Sequence, residues 1–465
     1  MNLRTETRLE NCNNLQLLAE EWGSNDAVNL YLDRCQVDTP SDIVTTVWDH
    51  IKRSRKSVSK VVDFGAGDGR FSHGGIYEEY IGYEIDSGRC KSAQLPVNAK
   101  LINQCAFQDE VTDAQICLGN PPYVRNQDLP IGWRQRVSAT LAKRTGVTIS
   151  GLSNAWQYFF LLAIASTSDD GLVAIVIPYE WVSRPSSRAL REYIKKKGWN
   201  VNVYRLLDDT FHRVLTTSSI TIIDKKRKDG VWEFFEQNTS GNYEKLSTAS
   251  GGESGVIAYS KRSTLPKGSP YAKRGLSPGT QEVLTLTEGE RVHMGLRVGD
   301  DVVPCVTSLK CMKDTANSLT ENEFRKNFQM AGLKCWLIRT DKKPSSRLQA
   351  YLDNVSPDKY QTSTCLSRDI WWKFTMPDTP AILISTGFTG NSPKTVLNKF
   401  GVRALGGVCG IYGLSERKSI QFVKALRSMD LSGSIVPHSN GLKKIEINQL
   451  NTIIETIKFG KVAKP

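Results

Sequence analysis

The sequence predicts an α/β protein: a doubly wound, mostly parallel sheet with a closing antiparallel strand, followed by a separate α+β domain. Three observations predict it. Short apolar strands alternate with helical segments between residues 59 and 237, the pattern of a sheet built from βα units. A glycine-rich turn, "FGAGDG", follows the first of those strands directly. Past residue 238 the chain turns polar and Gly/Ser-rich, "NTSGNYEKLSTASGGESG", and the regular alternation does not resume. Residues 1–240 therefore read as one domain, 241–270 as a linker and 271–465 as a second domain.

Taken in order, residues 1–35 read as a helical, acidic N-terminal cover. "QVDTPSDIVTTVWDHI" (36–51) has a Thr-Pro turn, Ser41 at a helix N-cap position and apolar residues at helical spacing. Strands follow at 59–64, 80–86, 99–107 and 113–120. "NAWQYFFLLAIAST" (154–167) is an apolar helix and "GLVAIVIPYEWV" (171–182) a core strand. "SSRALREYIKKKG" (186–198) is an amphipathic helix with lysines in its last turn, where they complement the helix dipole. Three more strands lie at 201–207, 218–227 and 231–237, the last two as an antiparallel closing pair. No internal repeat is present.

Hydrophobic residues make up 39% of the 465 residues, enough for large cores. No window reaches the roughly 18 consecutive apolar residues of a membrane span. The N-terminus is charged and has no apolar signal region, so a cytoplasmic protein is expected, with no membrane partner. Ten cysteines are scattered without a CxxC pair, and the five histidines form no ligand spacing with them. Reduced cysteines and no metal site are expected.

The net charge of +13 is unevenly placed. Residues 1–240 carry 29 basic and 29 acidic side chains, and residues 241–465 carry 32 and 19. The whole excess sits in the second half. A neutral half joined to a basic half is the pattern of an enzyme core with a polyanion-binding module.

The glycine turn carries the first chemical signal. Gly65, Gly67 and Gly69 let the backbone turn tightly and approach a ligand closely. Glu84, at the end of the next strand, can accept both hydroxyls of a ribose. The spacing is G-x-G-x-G, not the G-x-G-x-x-G of a dinucleotide cradle. A nucleoside-containing cofactor at the carboxyl end of the sheet follows from the two together.

The second signal is "NPPY" (120–123), placed immediately after the fourth strand. Methyl transfer from a sulfonium to an exocyclic amine needs this kind of arrangement. Such an amine is a poor nucleophile because its lone pair is delocalised into the ring. Acceptors on its two N–H bonds favour a more tetrahedral nitrogen and release the lone pair. Asn120 Oδ1 and the Pro121 carbonyl can be those acceptors, and the prolines hold that carbonyl in a fixed direction. Tyr123 offers a flat face for a planar base or amide. The sulfur leaves as a neutral thioether, so the step needs neither acid nor metal.

With these motifs in this order, the sequence resembles the gamma-class DNA adenine-N6 methyltransferases of bacterial type II restriction–modification systems, which use S-adenosyl-L-methionine. The resemblance spans residues 25–237 through motifs and the C-terminal half more loosely, through "VPCVTSLK", "RDIWWKF" and "IVPHSNGLKKIEI". It implies a seven-stranded methyltransferase sheet and a C-terminal target recognition domain. It implies cofactor contacts at Thr39, Pro40, Asp63, Gly65, Ala66, Gly67, Glu84, Ile85 and Phe107. It implies that Asn120, Pro121, Pro122 and Tyr123 act on the target adenine, with Phe211 sandwiching the flipped base against Tyr123. One departure stands out: Ala106 occupies the position where relatives carry an acidic residue for the cofactor's adenine amino group, and Asp109 is a substitute from the loop.

The same motif chemistry serves enzymes that methylate RNA adenine or a protein glutamine amide. The basic second half favours duplex DNA, because a flipped adenine needs a protein body on the far side of the helix. Lys310, Arg368, Lys373, Lys443 and Lys444 are the expected DNA contacts, more to phosphates than to base edges. At least one of Trp371 and Trp372 is expected in the domain core. A single-chain restriction–modification enzyme is a further reading. The 64 residues before the glycine loop are too few for a nuclease domain there, and a separate endonuclease acting on the same site is the expected partner. A catalytically dead DNA-binding relative is disfavoured by the intact Asn-Pro-Pro-Tyr. A monomer is expected.

Overall fold

The computed structural model describes residues 37–129, 131–207, 210–211, 216–250, 268–431, 435, 437–439 and 442–457. The cover expected over residues 1–35 lies outside them. The chain divides into two units, Met1–Val256 with Pro437–Gly441, and Ile257–Val436 with Leu442–Pro465.

The first unit is built on one large sheet. Its strands are β1 (Val58–Phe64), β2 (Tyr77–Glu84), β3 (Ala99–Asn103), β4 (Ala114–Gly119), β5 (Thr167–Pro178), β6 (Asn200–Arg205), β7 (Ser218–Asp224), β8 (Val231–Gln237) and β9 (Tyr243–Ser250). They lie in the order β3-β2-β1-β4-β5-β7-β6-β8-β9. Neighbours from β3 to β5 are parallel, whereas β7 runs antiparallel to both β5 and β6. Central strands such as β4 and β5 are near-continuous apolar runs, as strands covered on both faces must be.

The helices are α1 (Ser41–Ser54), α2 (Ser87–Ser92), α3 (Ile131–Thr145), α4 (Ala155–Ser166) and α5 (Arg188–Lys197). On α1, Ile43, Val44, Val47, Trp48 and Ile51 form one buried stripe, and the Trp48 indole donates to the Phe71 carbonyl at 2.9 Å. Helix α4 is apolar all round and almost wholly buried, opened by a capping box of Asn154 and Gln157. Gly198 ends α5 in the left-handed conformation.

Four expectations need correction. The sheet has nine strands, not seven. Strands β7 and β8 do not pair, because β6 lies between them and β8 runs parallel to β6. Residues 243–250, read as part of a linker, form β9, antiparallel to β8. Tyr243 there packs edge-on to Tyr204 and His50, burial that a polar-looking segment does not advertise. Finally, Pro40, not Ser41, is the N-cap of α1; its carbonyl accepts from the Ile43 and Val44 amides. Helix α3 went unread because the "RQRVSATLAKR" polar residues outnumber its narrow apolar stripe of Trp133, Val137 and Leu141.

His50 stacks on Tyr204 with ring centroids 3.8 Å apart. Burial first, then the nearby Arg53 charge, push its pKa from 6.5 down to about 4. A depressed histidine pKa means that the unfolded chain takes up the proton first as pH falls, so stability is lost between about pH 6.5 and 4. His50→Phe is expected to relieve this by on the order of 1 kcal/mol at about pH 5. Tm followed against pH checks it: the variant's advantage should grow on acidification, and parallel curves would dismiss the assignment.

The second unit combines short strands and helices. Its five-stranded sheet orders Tyr271–Arg274, Val408–Tyr412, Ile382–Ser385, Thr395–Asn398 and Ser318–Leu319. A four-stranded sheet joins Thr285–Leu286, Trp336–Ile338, Val302–Val306 and Arg403–Ala404. Helices Glu416–Ser428 and Ile447–Thr456 contribute Phe422, Leu426, Leu450 and Ile453 to one core. Among the described residues no helix is long and apolar enough to cross a membrane.

Candidate active site

The strand order reverses between β1 and β4, and their carboxyl ends lie side by side. A crevice at that switch point is where open α/β sheets bind ligands. The loop after β1 and the Asn-Pro-Pro segment after β4 meet there. A Cβ on Gly65 would stand 3.4 Å from Pro122 Cδ and 3.9 Å from Pro121 Cα, and Gly65 has φ +89°. Glycine is needed at this point both for the backbone conformation and for the close approach.

A cavity opens over these ends. Its lining includes Thr39, the Gly65–Asp68 turn, Tyr83, Glu84, Ile85, Gln104–Ala106, Asn120 and Pro122, with Trp133 and Phe159 along one wall. Glu84 is buried, and each carboxylate oxygen accepts one backbone N–H: Oε2 from Gly67 and Oε1 from Asp86, both at 2.8 Å. Burial raises the Glu84 pKa and the two amides partly offset it. Each oxygen keeps a further lone pair, the provision a ribose diol requires.

Asn120 is the second focus. Its Nδ2 donates to Thr39 Oγ1 at 3.1 Å. Its Oδ1 is buried and has no hydrogen-bond partner. An acceptor left in that state costs about 1–3 kcal/mol, and this one stands at the cavity wall. Tyr123 is anchored by its hydroxyl, which donates to the Val176 carbonyl at 3.1 Å and lies 3.4 Å from Ser218 Oγ. Burial of that end pushes the phenol pKa up.

The cavity therefore gathers Thr39, Gly65, Ala66, Gly67, Glu84, Ile85, Asn120 and Pro122. Other expected site residues stand elsewhere. Pro40 caps α1. Asp63 is fully buried behind the loop: it accepts the Tyr80 hydroxyl at 2.7 Å, and burial pushes its pKa up to about 7. A Cβ on Gly119 would sit 2.2 Å from Asp63 Oδ1, which packs against β4, is buried without a hydrogen-bond partner and does not line the cavity. Pro121 and Tyr123 flank the cavity without lining it. Phe107 packs edge-on against Phe159 at 4.8 Å and Trp133 at 5.5 Å, behind the wall those two rings form. Phe211 is buried at 6% exposure in the core cluster with Trp48, Leu206 and Ile220 and does not line the cavity.

Two features escaped the sequence reading. Trp133 and Phe159 reach the cavity from helices α3 and α4. Arg70 ties the 37–39 segment to the glycine loop, pairing with Asp68 and Asp38 and donating to the Thr39 carbonyl at 2.6 Å. Asp109, the expected loop substitute at Ala106, accepts from Gln104 Nε2 at 2.7 Å and hydrogen-bonds Tyr83, so it braces two cavity residues and does not line the cavity. Only the Trp133, Val137, Leu141 spacing could have been found beforehand.

In the second unit, Lys310 and Lys373 are exposed. Arg368 is committed internally: it donates to the Pro278 and Trp371 carbonyls at 2.7 and 3.1 Å and lies over Phe374. Both bonds come from Nη1 and go to carbonyls of its own unit. Lys443 lies over Phe388 and donates to the Thr389 carbonyl at 3.4 Å, and Lys444 is half-buried opposite Gly387. Trp371 stacks on Tyr360 at 4.2 Å, and both Trp371 and Trp372 pack against the core. Among the described residues no group of three or more His, Cys, Asp or Glu is placed to hold a metal.

Comparison with known proteins adds the following. Residues 74–210 match the family described as Eco57I restriction-modification methylase, a span that holds Glu84 and Asn120–Tyr123. The chain is similar to the type IIL restriction-modification enzyme MmeI, solved in complex with DNA, at 13% identity over 97% of this chain and 69% of that one, with a TM-score of 0.53. It is also similar to the type I restriction-modification methyltransferase subunit from Streptococcus thermophilus, at 19% identity over 44% and 48% of the two chains and a TM-score of 0.37. A third is the type IIG restriction endonuclease BpuSI, at 12% identity over 89% and 58% and a TM-score of 0.43. The chain spans about half the length of the Streptococcus subunit and under two-thirds of BpuSI. The shared property is the mixed α/β fold with a large, mostly parallel central sheet.

Proposed function

We propose that this protein is a DNA methyltransferase that transfers a methyl group from S-adenosylmethionine to the N6 amino group of an adenine flipped out of the duplex. The observation that carries the reading is the buried, partnerless Oδ1 of Asn120 beside a cavity suited to a nucleoside. The residues fit the cofactor: the glycine turn admits a close ligand, Glu84 keeps two lone pairs for a ribose, and Trp133 and Phe159 offer apolar walls to an adenine. When bound there, S-adenosylmethionine supplies an electrophilic methyl on a sulfonium whose sulfur leaves as a neutral thioether. Asn120 Oδ1 and the Pro121 carbonyl accept the two N–H bonds of the target amine and free its lone pair to form the N–C bond as the C–S bond breaks; the surplus amine proton goes to water. Alignment and preorganised acceptors account for the catalysis. Tyr123, anchored through its hydroxyl, supplies the ring on which the base stacks.

DNA is favoured over RNA or a protein amide by the second half of the chain, which carries the entire +13 net charge. The methylase family match and the DNA-bound MmeI relative support the same reading. A role as the protective methylase of a restriction–modification system, alongside a cognate endonuclease, belongs to this proposal. The test is methyl transfer from labelled S-adenosylmethionine to duplex DNA, structured RNA and a release factor, with nucleoside analysis. N6-methyladenine in DNA is the expected product. Label in RNA or protein with blank DNA overturns the account of the basic half.

A further inference from the structure

We propose that Thr39 is a positioning residue whose hydroxyl holds the Asn120 amide by its nitrogen end, leaving the amide oxygen for the incoming amine. The inference rests on the methyltransfer reading above and deepens it. An asparagine amide has an acceptor end and a donor end that exchange on a half-turn about χ2; a hydroxyl can serve either, and here it takes the nitrogen end. Reversed, Asn120 would present an NH2 group to an amine that itself needs acceptors, and the reaction would lose one of them.

Thr39 Oγ1 accepts from Nδ2 at 3.1 Å, which leaves Oδ1 as the buried end without a partner. The threonine is 3% exposed, so water does not compete for its hydroxyl. Its backbone is held in turn. Arg70 Nη1 donates to the Thr39 carbonyl at 2.6 Å. The same guanidinium pairs with Asp68 at 2.6 Å and Asp38 at 3.0 Å, and Asp38 also takes Arg89 at 2.8 Å. Each such pair is partly exposed and worth little alone. Together they fasten the 37–39 strap across the glycine loop from two arginines, so the hydroxyl's position does not depend on the substrate. Thr39 thus acts through Asn120, apart from any contact it makes with the cofactor.

Thr39→Val keeps the shape and removes the acceptor; Thr39→Ser keeps the acceptor. With saturating S-adenosylmethionine, Thr39→Val should slow single-turnover methyl transfer about ten-fold, the size of one lost neutral hydrogen bond. Thr39→Ser should recover most of the rate. The Tm should stay near wild type in both, which a merely structural role would not predict, and saturating cofactor keeps any change in its Kd out of the measured rate. A rate unchanged in Thr39→Val, or a loss explained entirely by a weaker Kd, overturns the proposal. A second readout does not depend on activity. In protein labelled with 15N-asparagine, the side-chain amide pair of Asn120, assigned by its absence in Asn120→Ala, should shift in Thr39→Val and not in Thr39→Ser. A pair indifferent to both variants overturns the proposal even if transfer is never detected. A wild type that methylates none of the three substrates while the pair does shift refutes the functional reading and leaves the anchoring standing.

Discussion

Asn120→Ala is expected to lower methyl transfer by about 10³-fold while S-adenosylmethionine affinity stays within about two-fold, the scale of removing one preorganised group at a reacting centre. The amide's Oδ1 is buried without a partner, and its Nδ2 spends its hydrogen bond on Thr39. Truncation therefore removes an acceptor that the resting protein does not use for its own stability. The cofactor's groups would meet Glu84, the glycine turn and the aromatic wall, none of which depends on this side chain. Tm is expected to hold or rise slightly, because an uncompensated buried acceptor has gone. Single-turnover rates with equilibrium binding on the same preparation check both halves. Near-normal turnover would sink the catalytic assignment of Asn120.

The second large effect is expected at Glu84, and the conservative substitution is the informative one. Both carboxylate oxygens accept backbone N–H groups, from Gly67 and from Asp86. Glutamine has one acceptor and one donor in the same volume, so its NH2 must face one of those two amides donor to donor. The glycine turn or the start of α2 then loses its hold, and a ribose loses a charged acceptor. Hydrogen bonds to charged groups contribute about 1.5–3 kcal/mol each, so Glu84→Gln should weaken S-adenosylmethionine binding by roughly ten- to a hundred-fold. Isothermal titration measures this directly. An affinity within about two-fold of wild type would remove Glu84 from the cofactor site.

The place of the candidate site was legible wherever it is written in consecutive residues. Gly65, Glu84 and Asn120 each stand at the end of an apolar strand, and a strand followed at once by glycine or by proline has few readings. What escaped the sequence shows why. Phe211 precedes a strand in the manner of a base-stacking ring, yet it is packed in the core with Trp48 and Ile220; one phenylalanine carries no record of which way it turns. Arg368 is a basic residue in a basic domain, yet its Nη1 is spent on two carbonyls of its own unit. Composition counts its charge but does not report its partners.

Alternation of strands and helices determined the α/β class, because side-chain period sets which backbone can bury one face. The Gly-x-Gly-x-Gly turn and Asn-Pro-Pro-Tyr determined a site at the strand ends, because backbone conformation at glycine and proline is a local property. The tertiary structure alone decided that β6 separates β7 from β8, that residues 243–250 extend the sheet, and that Asp63 faces Gly119 instead of the cavity. It alone brought Thr39 to Asn120 across 81 positions of chain. Strand order and side-chain pairing depend on which distant surfaces exclude water together, and that is a property of the whole packed chain rather than of any window along it.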